Sequence, residues 1–105
     1  MRAFLLYDER MLRLRNDWPP MCVVVAYSTD ELPKICGGEY RSSSRELIIR
    51  KELFSSHPSE YVDTVSGVRP ARFEYQRGPL KLHFYADWKD QQAVLEVREV
   101  PLFEE

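Results

Sequence analysis

Between Arg69 and Val100 the chain alternates apolar and polar residues in three runs separated by two turn signals, and this pattern limits the fold more than any other. The first run is Ala71 to Arg77, ended by Gly78-Pro79. The second is Leu80 to Ala86. A polar turn from Asp87 to Gln92 leads to the third, Ala93 to Val100. Side chains of a strand point to opposite faces with period two, so Leu80, Leu82, Phe84 and Ala86 share one face while Lys81, His83 and Tyr85 share the other. Runs joined by short turns of this kind predict an antiparallel meander, its first face in the core and its second in solvent or against a ligand.

At 105 residues the chain is expected to form a single domain, 1–105, large enough to bury a core without metal or disulfide staples. Hydrophobic residues at 44% with charged residues at 30% are ordinary globular usage and argue against disorder. The 12% of aromatic residues favours sheet over an all-helical bundle.

The other segments fill in the architecture. Arg2 to Asp8 reads as a strand, and Met11-Leu12-Arg13-Leu14-Arg15 as a second one with a wet face, Asp8-Glu9-Arg10 turning between them into a hairpin. Pro19-Pro20 then breaks the chain and holds Trp18 extended. Met21 to Tyr27, with three consecutive valines and no charge, reads as a strand covered on both faces and hence central. Ser28 to Ser44 is turn-rich; it has room for a capped helical turn at Thr29 to Leu32 and a brief strand at Glu39 to Arg41. Ser43-x-x-Glu46 matches a capping box, yet the apolar positions 47, 48, 49, 53 and 54 scatter around a helical wheel, so Leu47-Ile48-Ile49 reads as a strand. Pro58 at a first helical position and Gly67 at the end predict one short helix over 58–66. The expected fold class is therefore α+β: one compact domain, mostly antiparallel sheet of about five to six strands, with that one short helix.

Several function classes lose support at once. Lys plus Arg is 15 against 17 for Asp plus Glu, a net charge of −2, where a nucleic-acid-binding domain is usually strongly basic. No apolar run reaches the ~20 residues of a membrane span, and the apolar stretch Ala3 to Tyr7 is shorter than a secretory core of roughly 7–15 residues. A cytoplasmic location is expected. In that setting Cys22 and Cys36 are expected as free thiols. With His57 and His83 they are the candidate metal ligands, but none forms the close pairs of structural zinc sites, so no metal and no cofactor are expected. There is no G-x-S-x-G elbow and no Gly-rich phosphate loop, and no catalytic set is assigned.

Glu46-Leu47-Ile48-Ile49-Arg50 and then Pro58-Ser59-Glu60-Tyr61-Val62-Asp63-Thr64-Val65 resemble the strand-then-helix lead-in of small zinc metallopeptidases of the SprT-like group. In that group the lead-in runs into a His-Glu-x-x-His helix; here it runs into Ser66-Gly67-Val68-Arg69-Pro70. The resemblance implies a catalytically inactive relative.

Recognition is the class that remains. Trp18, Trp88 and Phe103 are aromatics at places where a small core need not hold them, and exposed Trp, Tyr and Arg dominate protein interfaces. From Val68 to Lys89 the chain carries five Lys or Arg against two carboxylates, interleaved with Tyr85 and Trp88. The expected surface comprises Arg77, Lys81, His83, Tyr85, Trp88, Lys89 and Trp18. It suits two functions: a non-enzymatic protein-binding module of the accessory, inhibitor, adaptor or immunity type, and a single-stranded nucleic-acid binder that stacks bases on the meander's polar face. An exposed sheet edge would also allow two copies to pair.

Overall fold

Arg2–Asp8 forms strand β1, and its last residue starts the next element. The computed structural model describes residues 1–57, 72–85 and 89–101. Asp8 is the N-cap of helix α1, Glu9–Leu14, its carboxylate accepting from the Arg10 amide. Residues 11–15 were expected to be a strand; the helix forms instead because Glu, Arg, Met and Leu all favour it and Asp8 satisfies a free amide in its first turn. Acidic Glu9 opens the helix and basic Arg13 closes it, both favourable to its dipole. The hairpin expected between Arg2–Asp8 and 11–15 therefore does not form; the strand that returns antiparallel to β1 is β2, Cys22–Ala26, with α1 between them in the chain.

A 3-10 turn at Thr29–Glu31, closed by a Ser28–Glu31 capping box, runs into helix α2, Leu32–Cys36. Gly37 and Gly38 carry the chain out of α2 with φ of 77° and 80°. A Cβ at Gly38 would lie 2.4 Å from the Ile48 carbonyl oxygen, so only glycine lets the chain approach its neighbouring strand there. Strands β3, Glu39–Arg41, and β4, Glu46–Arg50, come next, the second in agreement with the strand reading of Leu47-Ile48-Ile49. Another 3-10 turn, Lys51–Leu53, leads to β5, Ser55–His57; then come β6, Arg72–Arg77, β7, Leu80–Tyr85, and β8, Gln92–Pro101. The helix expected over 58–66 lies outside the described residues.

All pairings are antiparallel, in agreement with the α+β expectation, and the strands divide between two sheets. One has the order β2-β1-β8-β4-β3 and the other β5-β6-β7. The meander is therefore only half formed. β6 and β7 pair as expected, but β8 leaves them and becomes the middle strand of the five-stranded sheet, between β1 and β4. Its residues Ala93, Leu95 and Val97 are buried at intervals of two, which is what a central strand with one core face requires.

The two sheets share one core. Phe4, Leu6, Val24, Leu47, Ile49, Ala93 and Leu95 of the larger sheet meet Leu80, Leu82 and Phe84 of the smaller, with Leu32 and Cys36 of α2 alongside. Phe54 joins them, its ring 4.8 Å from that of Phe84 and 5.4 Å from that of Tyr75. A buried polar link accompanies this core. Asp8 is 2% exposed and accepts from Arg10 through both carboxylate oxygens: Nε to Oδ1 at 3.1 Å and Nη2 to Oδ2 at 2.8 Å. Arg10 Nη1 donates to the His83 carbonyl of β7 at 3.1 Å, and its guanidinium carbon sits 4.2 Å from the centre of the Phe84 ring. One side chain thus ties the start of α1 to both sheets.

Removing one partner of a buried ion pair leaves the other charge uncompensated, at a cost of roughly 3–5 kcal/mol. Arg10→Met is expected to destabilise the fold by about that amount in urea denaturation. A loss below about 1 kcal/mol would show that the pair is not what joins the two sheets.

Candidate interaction surface

The valine strand is where the structure departs most from expectation. β2 is not central: it is an edge strand, bonded to β1 on one side and to no other described strand. Val24 and Ala26 face the core, but Val23 and Val25 are 50% and 51% exposed, and Tyr27 beyond them is 70% exposed. An uninterrupted apolar run looks the same in sequence whether both faces are covered or only one. The outward residues do not stand alone. The register places Ala3 of β1 between Val25 of β2 and Val100 of β8, and Leu5 of β1 between Val23 and Arg98. These two cross-strand rows make an apolar patch on the outer face of the sheet, and its β8 side ends where Arg98 lies 4.4 Å from the Tyr7 ring centre and pairs with Glu96.

The patch is also free of charge along its edge. Met21 to Tyr27 contains no Lys, Arg, Asp or Glu, and no proline interrupts the strand. Edge strands are normally protected by such residues against pairing with another chain. Beside Tyr27 the chain is held by Glu31, whose carboxylate accepts from the amides of Tyr27, at 2.5 Å, and Ser28.

The residues expected to form the binding face are distributed differently. In the β6–β7 pair Glu74 lies opposite His83 and Gln76 opposite Lys81, so a carboxylate shares the face that the sequence pattern makes cationic. Arg77 is opposite Leu80 on the other face, and its guanidinium donates to the Lys34 carbonyl at 3.5 Å. Lys81 is exposed and His83 half-buried. Lys89 is exposed, its carbonyl accepting from the Gln91 side chain. Tyr85 belongs to β7 and pairs with Arg72 through the backbone. Trp18 is half-buried in a turn where its amide donates to the Arg15 carbonyl at 3.2 Å. Trp88 and Phe103 lie outside the described residues. In the chain Trp18 lies between α1 and β2.

Two further features complete the surface and its surroundings. A shallow pocket of about 220 Å³ opens beside β3 and β4, lined by Gly38, Glu39, Ile48, Arg50 and Leu53. Among the described residues no three His, Cys, Asp or Glu side chains gather as metal ligands, and no helix is long and apolar enough to cross a membrane. Where α2 meets β6, the Tyr75 hydroxyl donates to the Cys36 carbonyl at 2.5 Å. Burial pushes the Tyr75 phenol above its ordinary range, with the nearby Arg77 charge offsetting part of the rise. Beside it the Cys36 thiol is lowered, chiefly because Cys22 hydrogen-bonds to it, while the Cys22 thiol is raised by the same bond and by burial.

No family model, curated protein or solved structure matches the chain. The surface has to be interpreted from its own chemistry.

Tyr75 supplies a pH test of the α2–β6 joint. Its folded-state proton is held more tightly than that of a free phenol near pH 10, so its contribution is complete below about pH 10 and is lost as pH rises through the folded value. At pH 8, Tyr75→Phe is expected to cost about 1 kcal/mol through the lost hydrogen bond. The gap between wild type and variant should close in melting curves taken above pH 10. A gap that stays constant would show the phenol to be uncoupled from folding.

Proposed function

We propose that this protein is a non-enzymatic protein-binding module that takes an extended, uncharged segment of a partner protein onto the free edge of β2. The observation that carries this reading is the pairing of an unprotected strand edge with the apolar rows Val23–Leu5 and Val25–Ala3–Val100 beside it. Adding a strand satisfies the row of backbone amides and carbonyls that the edge presents, which gives affinity. The side chains that alternate onto the outer face then supply specificity. Val23 and Val25 would meet apolar side chains of the incoming strand, and Tyr27 offers a large aromatic surface with a hydroxyl at its rim. A charged segment would be disfavoured, since nothing along Met21 to Tyr27 can pair with its charge. An accessory, inhibitor or adaptor role suits this mode of action, which needs only that a partner surface be occupied.

Val25→Lys tests the proposal, because lysine on an edge strand blocks pairing and costs little at a half-exposed position. Tagged wild-type protein is expected to recover a stoichiometric partner from its native source, cross-linked within residues 21–27. Val25→Lys should lose it with its melting temperature nearly unchanged, and Lys81→Ala should keep it. Retention by Val25→Lys, or cross-links confined to the β6–β7 hairpin, would refute the assignment. A concentration-dependent dimer in sedimentation that Val25→Lys abolishes would show instead that β2 pairs with a second copy.

A further inference from the structure

The hairpin that joins β3 to β4 turns through Ser42, Ser43, Ser44 and Arg45, and every residue from Arg41 to Arg45 is exposed. Among the described residues, the three serine hydroxyls hydrogen-bond to no group and the Arg41 and Arg45 guanidiniums pair with no carboxylate. The turn is held at its ends, where Arg41 lies opposite Glu46 and the Arg45 carbonyl accepts from the Val97 amide at 3.0 Å. Arg45 has a φ of 54°, a left-handed conformation that a residue with a side chain adopts at a cost. β3 is itself a three-residue edge strand, bonded to β4 alone among the described strands, so this turn belongs to the part of the fold that opens most easily. It lies at the other side of the sheet from β2, and nothing proposed for that edge depends on it.

We propose that Ser44 is a phosphorylation site for an arginine-directed serine kinase, with Arg41 as the residue that the kinase reads. A kinase of this class lines its substrate groove with carboxylates and grips a guanidinium at a fixed spacing before the acceptor serine. Ser44 is the only Ser or Thr of the chain that stands three residues after a Lys or Arg. The free Arg41 side chain can enter such a groove without giving up a partner, and opening the turn brings the segment into the extended form in which a groove binds it. Ser44 Oγ then attacks the γ-phosphorus of ATP, and the bond from that phosphorus to the oxygen shared with the β-phosphate breaks. ADP leaves with the electron pair, and the hydroxyl proton passes to a carboxylate base of the kinase. Near pH 7 the phosphoserine carries close to two negative charges, which Arg41 and Arg45 meet with charge-assisted hydrogen bonds when the turn closes again. An acid-directed kinase would instead read Glu46, three residues after Ser43, but Glu46 is half-buried in β4 opposite Arg41.

The experiment incubates the folded full chain with ATP, Mg²⁺ and the catalytic subunit of cyclic-AMP-dependent protein kinase, followed by intact-mass measurement and peptide mapping. Wild type is expected to gain one phosphate, carried by Ser44. Ser44→Ala should gain none within residues 42–44. Arg41→Ala should lower the initial rate about tenfold or more, because truncating one side of a docked charge pair weakens it by at least that much. Both side chains are exposed, so both variants should melt with wild type. No phosphate on wild type, or phosphate only on chain unfolded beforehand in urea, would overturn the proposal. Phosphate on Ser42 or Ser43 in place of Ser44, or a rate unchanged in Arg41→Ala, would overturn it equally.

Discussion

The rest of the structure depends on the buried pair of Asp8 and Arg10. A carboxylate and a guanidinium taken out of water lose their hydration, and the pair is tolerated only when its hydrogen-bonding groups are met. Here Asp8 accepts from the Arg10 side chain through both oxygens and caps α1 with one of them, while Arg10 reaches the His83 carbonyl and the Phe84 ring on the opposite sheet. The same two residues therefore end β1, start α1 and fix where β7 lies. Apolar packing supplies most of the stabilisation, but it is tolerant of sliding. A bidentate pair is not, and its geometry sets the relation of the two sheets.

That relation explains why the interaction surface lies where it does. The smaller sheet, α2 and Phe54 cover the inner face of the larger one. On its outer face Val23 and Val25 of β2 are half-exposed, while Ala3 of β1 and Ile48 of β4 are buried. Because β8 occupies the centre, β1 and β2 are pushed to one side, and β2 becomes the edge. The unprotected edge and the apolar rows are consequences of a single topological fact, the departure of β8 from the hairpin that precedes it. Cys22 lies opposite Leu6 on the edge strand and packs against the shared core, in which Cys36 of α2 is buried.

Much of the local structure was legible from residues alone. The alternation of Leu80, Leu82 and Phe84 identified a core face that is fully buried, and the scatter of 47, 48, 49, 53 and 54 around a helical wheel favoured a strand at Leu47-Ile48-Ile49, where β4 lies. The failures have separate causes. Met11 to Arg15 alternates over only five residues, too short for a period of two to be told from one turn and a half of helix, and the cap at Asp8 decided the matter. That cap was a readable signal, an Asp before a Glu at the start of a run of helix formers. The cation excess around the hairpin was real as composition, yet Glu74 opposite His83 and the turn of Arg77 to the other face divide it between two surfaces.

By itself the sequence determined most of the strands, which of their faces are apolar and where the chain turns, because these depend on side-chain periodicity and backbone restrictions acting over a few residues. It also determined that Met21 to Tyr27 is a strand without charge. Only the tertiary structure decided that this strand lies at an edge and that β8 leaves the β6–β7 hairpin for the other sheet. Strand order and the pairing of distant residues arise from contacts made across the core. An apolar run has the same local preferences whether one of its faces or both are covered, so its place in the sheet is set by the competition among all strands for the buried positions.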